Sequence, residues 1–140
     1  MNSRSETGQF GEELAVKHLE NKCFTIIERN FRRKWGELDI IAKAKDKTLV
    51  FVEVKTIRQA QSEPCGNAAI PTLRSEQVAE SILPEEQLTK AKLRKLQRTA
   101  SLYANGRDDL IDKDKGWRID LIAITILGYE NWKISHYENI

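Results

Sequence analysis

The segment GELDIIAKAKDKTLVFVEVK, residues 36–55, decides the fold. Its two apolar runs, separated by Lys45-Asp46-Lys47, read as β-strands joined by a polar turn. Each run also carries charge where a buried strand should be apolar: Glu37 and Asp39 in the first, Glu53 and Lys55 in the second. Strand side chains alternate between faces, so Glu37, Asp39 and Ile41 are expected on one side and Leu38 and Ile40 on the other. By the same rule Glu53 and Lys55 share a face with Phe51, opposite Val50, Val52 and Val54. A run such as LVFVEVK suits a strand covered on both sides. Burying an ionised carboxylate is costly unless it is paired or bound to a metal. Two readings stand. Asp39–Lys55 or Glu53–Lys55 is a structural ion pair at the strand ends, or Asp39, Glu53 and Lys55 meet in a polar site at one end of the sheet. Two hard oxygen donors in the second arrangement suit Mg²⁺ or Mn²⁺.

Upstream, residues 5–22 read as a helix with Ser5 or Thr7 as N-cap, followed by the short strand-like run FTIIERNF. On the helical wheel Glu12 falls among Gly8, Ala15, Val16 and Leu19, whereas Glu13 falls with Lys17 and Glu20 as a solvated pair. Phe10 and Leu14 fall on the far side. Glu12 is therefore either a functional acid on the apolar side or a partly exposed residue that complements the helix dipole. Downstream, residues 88–104 form the clearest helical pattern, with Leu93, Leu96, Ala100 and Tyr103 on one stripe and Gly106 as a stop. WRIDLIAITIL and NWKISHY read as closing strands. All three prolines lie in residues 59–87, read as a long excursion with a short helix near 75–83. The predicted order is helix, three strands, helix, two strands: an α/β architecture with a mixed sheet flanked by helices.

The length of 140 residues is that of one domain, 1–140. With 23 Lys and Arg against 21 Asp and Glu, the net charge of +2 does not by itself argue for a polyanionic partner. Local clusters say more. Lys90, Lys92, Arg94, Lys95 and Arg98 crowd one helix, and Arg29, Arg32, Arg33 and Lys34 precede the Asp39 strand. Such residues either track phosphates or form a solvated face. Trp35 either stacks on an unpaired base or packs against Gly36. Cys23 and Cys65 lack metal-ligand spacing, and His18 and His136 are too few for zinc and read as surface or packed residues. The start lacks a signal-peptide core, and the longest apolar run contains Asp120 and is too short to span a membrane. A reduced, cytoplasmic protein with no membrane partner is expected.

Taken in order, GQFGEELAVKHL, IIERNFR, GELDIIA, LVFVEVKT and KLRKLQRTASLY resemble the motifs of the YraN family. That bacterial family is assigned to the restriction-endonuclease-like, PD-(D/E)xK nuclease fold and is similar to archaeal Holliday-junction resolvases. The resemblance implies an αβββαβ core. It makes Asp39 the acid of the second core strand, Glu53 and Lys55 the Glu-x-Lys of the third, and Glu12 the first-helix glutamate. Glu37 sits in the Gly-Glu-x-Asp motif, where metal contact and a supporting salt bridge both remain open. Lys92 resembles the lysine of the following helix. The implied activity is that of a Mg²⁺- or Mn²⁺-dependent endodeoxyribonuclease, a hydrolase selective for branched DNA and compatible with a homodimer. Asp39, Glu53 and the Val54 carbonyl would hold the metal, and Asp39, Glu53, Lys55 and Glu12 would carry catalysis. Lys92, Lys95, Arg33 and Lys34 would contact nucleic acid. The alternatives are a catalytically silent nucleic-acid-binding module on the same fold, and a structural protein whose acids only form ion pairs. The sequence departs from the family pattern in its longer 59–87 excursion, in Arg58 displaced by Ile57, and in Cys23-Phe24.

Overall fold

The computed structural model describes residues 3–58 and 88–140. The expected excursion and its helix near 75–83 lie outside the described residues. Helix α1 (Ser3–Asn21) leads into β1 (Thr25–Arg33), β2 (Gly36–Lys43) and β3 (Leu49–Arg58). Helix α2 (Lys90–Ala104), β4 (Trp117–Gly128) and β5 (Asn131–Tyr137) follow. The five strands form one sheet in the order β1-β2-β3-β4-β5. Among the described residues only the β3–β4 pair is parallel. No helix among the described residues is long and apolar enough to cross a membrane.

Local chemistry sets the element ends. Thr89 caps α2, its hydroxyl accepting from the Lys92 N–H at 3.2 Å. α1 stops where Cys23 turns left-handed (φ 67) and the Phe24 N–H reaches back to the Leu19 carbonyl at 2.9 Å. In the β2–β3 turn the Asp46 carboxylate accepts from the Thr48 N–H at 3.0 Å, and Lys47 takes φ 77.

β3 lies at the centre and is covered twice, as its apolar run suggests. On one face Val50 and Val52 join Ile40, Ala42, Ile122 and Ile124 under Leu14, Ala15 and Leu19 of α1. On the other, Leu49 and Phe51 join Phe31, Leu38 and Ile41 under Leu96, Ala100 and Tyr103 of α2.

Three expectations need correction. Leu14 is buried in the α1 core rather than on the far side, and Phe10 alone is exposed. Glu13 pairs with Arg29 at 3.4 Å instead of Lys17, which removes Arg29 from the basic cluster near β2. Regular alternation also fails in β2. Leu38 and Ile41 face α2, whereas Ile40 and Ala42 face α1. The facing reverses at Asp39, next to the rung where Asn30 of β1 adopts φ 52, a left-handed conformation that asparagine tolerates better than most residues.

Candidate functional site

The reversal at Asp39 coincides with a fork in the sheet. The β2–β3 ladder runs from Lys43↔Leu49 to Ile40↔Val52 and ends one rung short of Asp39 and Glu53. Beyond it β2 stays paired with β1 as far as Gly36↔Arg33, and β3 stays paired with β4 as far as Arg58↔Ile126. The two halves of the sheet separate, and backbone groups that would have paired across the ladder need other partners. Asp39 supplies one, its Oδ2 accepting from the Val54 N–H at 2.9 Å. A side chain in place of a ladder bond holds the carboxylate in the mouth of the fork.

Glu53 is buried on the α2 side, where Lys92 Nζ lies 2.7 Å from its Oε1. Neither ion pair proposed for Lys55 forms among the described residues. Glu53 turns instead to a lysine on α2, and that hydrogen bond raises the Lys92 pKa above the ordinary lysine value. Among the described residues Asp39 has no ion pair of its own, and Lys92, which feels its charge, is bonded to Glu53. Burial and then the adjacent Glu53 charge push its pKa up to about 7, with Glu12 adding repulsion and the Val54 N–H opposing it. A hydrogen bond between the Asp39 and Glu53 carboxyls favours the protonated form further.

Two depressions meet at this pair. One, of about 750 Å³, has Glu12, Val54 and Lys55 in its wall as well as Asp39, Glu53 and Lys92. The other, of about 260 Å³, adds Arg33, Lys34 and Lys95 on the α2 side. The site residues named from sequence are thus brought together around one cleft, and Glu37 lines both depressions. Among the described residues no three His, Cys, Asp or Glu side chains form a ready-made metal cluster. Glu12 therefore belongs to the wall rather than to a closed carboxylate cage.

Glu12 reaches the cleft because its neighbour is glycine. A Cβ on Gly11 would collide with the Thr56 side chain of β3, so only glycine lets α1 lie this close. Gly36 plays the same part for α2, where a Cβ would meet Thr99. Gly11→Ala gains helix propensity of about 1 kcal/mol but incurs an overpacking penalty of about 1–3 kcal/mol. A net loss of stability is expected in urea titration, and in a Thr56→Ala background, which leaves only the residue-56 Cβ at 2.9 Å, the loss should shrink. Equal effects in both backgrounds would contradict the close approach.

Sequence reasoning missed the Lys92–Glu53 pair and the Val54 N–H bond, both of which join residues distant in the chain. It also missed a second buried charge network. Asp120, fully buried, accepts from Arg118 Nε at 3.0 Å and from the Asn139 N–H at 3.0 Å, with His136 Nε2 at 2.8 Å. The signal was present: Arg118-x-Asp120 on one strand face, with His136 on the neighbouring strand.

A family model described as "Uncharacterised protein family UPF0102" matches residues 11–124. A UPF0102 protein of Mycobacterium ulcerans is 35% identical over 138 residues, covering 96% of this chain and 93% of its own. One from Geobacter sulfurreducens is 39% identical over 132 residues, covering 94% and 85% respectively. Another, from Fervidobacterium nodosum, is 33% identical over 132 residues, covering 94% and 79%. Both the matched span, which contains every residue of the cleft named above, and these relatives identify the chain as a member of the UPF0102, or YraN, family.

Proposed function

We propose that this protein is a Mg²⁺- or Mn²⁺-dependent nuclease that hydrolyses phosphodiester bonds in DNA, with selectivity for branched structures. The observation that carries the reading is the pair of carboxylates at the β2–β3 fork, with Asp39 pushed up to about 7 by burial and by Glu53. Two acids held together, with Lys92 bonded to Glu53 alone among the described residues, fit a divalent ion better than they fit each other. Asp39 and Glu53, with the Val54 carbonyl, would hold it. When bound, such an ion acidifies a water and offsets charge on a phosphoryl group.

The chain's own residues do the rest. Lys55, in the wall of the larger depression, can donate to the attacking water or to the developing oxyanion. Lys92 holds the Glu53 carboxylate in place through its 2.7 Å contact. Glu12 adds negative charge that raises the cation affinity of the cleft. Arg33, Lys34 and Lys95 border the smaller depression and suit phosphates on either side of the reacting one. No protein nucleophile is needed, in keeping with a cleft whose described lining has no cysteine or histidine. The likeness to restriction-endonuclease-like enzymes agrees with the αβββαβ order.

One observation favours the silent binding module. Lys92 already gives Glu53 an internal counter-ion, which lowers that acid's demand for metal. A cleavage panel separates the two: labelled four-way junction, flap, linear duplex, single strand and RNA, each with Mg²⁺ or Mn²⁺. Cutting of a branched DNA is expected, lost in EDTA and in Asp39→Ala or Glu53→Ala with binding retained. Binding without cutting of any substrate would select the silent module. Absence of both binding and metal response would remove both readings.

A further inference from the structure

Beside the carboxylate cleft, on the α2 side, lies a groove of about 440 Å³ built from aromatic rings and arginines. Its floor is Phe31 against Tyr103, edge to face at 5.0 Å. Each ring carries a guanidinium on its face, Arg33 at 4.5 Å from the Phe31 centroid and Arg107 at 4.0 Å from that of Tyr103. Trp35 forms the wall, tilted 56° against Phe31 at 5.8 Å and still 38% exposed. Trp35 thus packs against Phe31 while leaving much of its indole open. Arg33 lines both this groove and the smaller depression at Asp39 and Glu53, so the two adjoin at that side chain.

From this juxtaposition we infer that the groove is a stacking subsite for an unpaired nucleobase, placed one step along the strand from the phosphate at the carboxylate pair. The inference deepens the nuclease reading and rests on it. The chemistry is specific to a flat, π-faced ligand tethered to an anion. An exposed indole and guanidinium groups seated over rings offer stacking surfaces. Arg33 and Lys34 supply positive charge for the linking phosphate. Asp109, on the rim, repels phosphate and so directs the backbone toward the Arg33 side. A paired base cannot present its face to a side wall without leaving its stack. The substrate is therefore one with a single-stranded segment adjoining the scissile position, such as a flap, gap or splayed branch.

The test uses the whole chain in EDTA and fluorescence anisotropy with three labelled hairpins: blunt, with a three-thymine tail, and with a three-residue abasic tail. Both tails carry the same phosphates, so their difference reports stacking alone. The thymine tail is expected to bind about tenfold more tightly than the abasic one, in line with the worth of base–aromatic stacking. Trp35→Ala should erase the difference, and Trp35→Phe should restore most of it. Arg107→Ala, which leaves the indole in place, should reduce it. Circular dichroism establishes that each variant folds, and Arg107→Ala carries the test if Trp35→Ala does not. Equal affinity for the two tails, with the blunt hairpin still bound, would overturn the subsite and leave the nuclease reading intact. So would a base preference that survives both Trp35→Ala and Arg107→Ala. Failure to bind any of the three hairpins would sink the nuclease reading and the subsite together.

Discussion

An Asp39→Asn chain is expected to lose cleavage and yet to be more stable than wild type above pH 7. Burial and the Glu53 charge raise the folded-state pKa of Asp39 from 3.8 to about 7. The sign follows from linkage: an acid harder to ionise when folded adds no penalty below pH 4. It costs stability progressively as pH rises through about 7. Full ionisation costs up to about 4 kcal/mol, taking 1.36 kcal/mol for each tenfold change in the equilibrium. Asparagine keeps an oxygen to accept the Val54 N–H and carries no charge, so it escapes this cost. Wild-type melting temperature should therefore decline between about pH 4 and 7 and level off above that, and that of Asp39→Asn should decline less. At pH 8, Mg²⁺ or Mn²⁺ should raise the wild-type melting temperature by preferential binding to the folded chain, with little effect on the variant. The loss of cleavage should exceed the roughly 10–100-fold typical of groups that merely support a metal ligand. An unchanged pH profile in the variant, or equal stabilisation of both chains by Mg²⁺, would show that Asp39 and Glu53 do not form a strained acid pair open to a cation.

Much of this cleft was legible because β3 announces itself. LVFV followed by Glu-x-Lys is too apolar for a half-exposed strand, and its two cores lie under α1 and α2. Glu12 could be picked out because helical spacing is regular enough to separate it from Glu13. The limits are equally physical. Alternation counts positions and has no access to the left-handed turn at Asn30, so it misassigned the faces around Asp39. The fork is a property of where a ladder ends, and no residue type in β2 or β3 marks that point. Lys92 pairs with Glu53 across the 59–87 segment, and nothing in Glu-x-Lys distinguishes a lysine two residues away from one on another helix. Basic residues on α2 illustrate the same limit: Lys92 and Lys95 line the cleft, while Arg94 and Arg98 of the same cluster are not among its lining residues.

Asp120→Asn is expected to cost about 3–5 kcal/mol, the scale of breaking a buried ion pair from one side. Asp120 is 0% exposed and gathers Arg118, His136 and the Asn139 N–H, while Arg118 also reaches Glu138 at 3.8 Å. Removing its charge leaves the partly buried Arg118 short of its main counter-ion in a place water does not reach freely. Asparagine must also turn a donor toward one of two sites where Asp120 only accepts. Burial alone would raise the Asp120 pKa, but the bonds from His136, Asn139 and Arg118 outweigh it and hold the carboxyl below the usual range. The associated stability is present above the unfolded carboxylate pKa and is lost as pH falls through the lower folded value. His18, packed edge-on against His136 at 5.4 Å, works in the same direction. Burial, Lys22 and His136 lower its pKa, so acidification below about 6.5 charges it more readily in the unfolded chain. The fold is thus squeezed from the acid side by Asp120 and His18 and from the basic side by Asp39. Urea midpoints should therefore peak in mildly acidic solution, and Asp120→Asn should lower the whole curve while flattening its acid limb. A loss under 1 kcal/mol at pH 7, with the acid limb unchanged, would mean that the Asp120 network contributes nothing its polar neighbours could not supply without it.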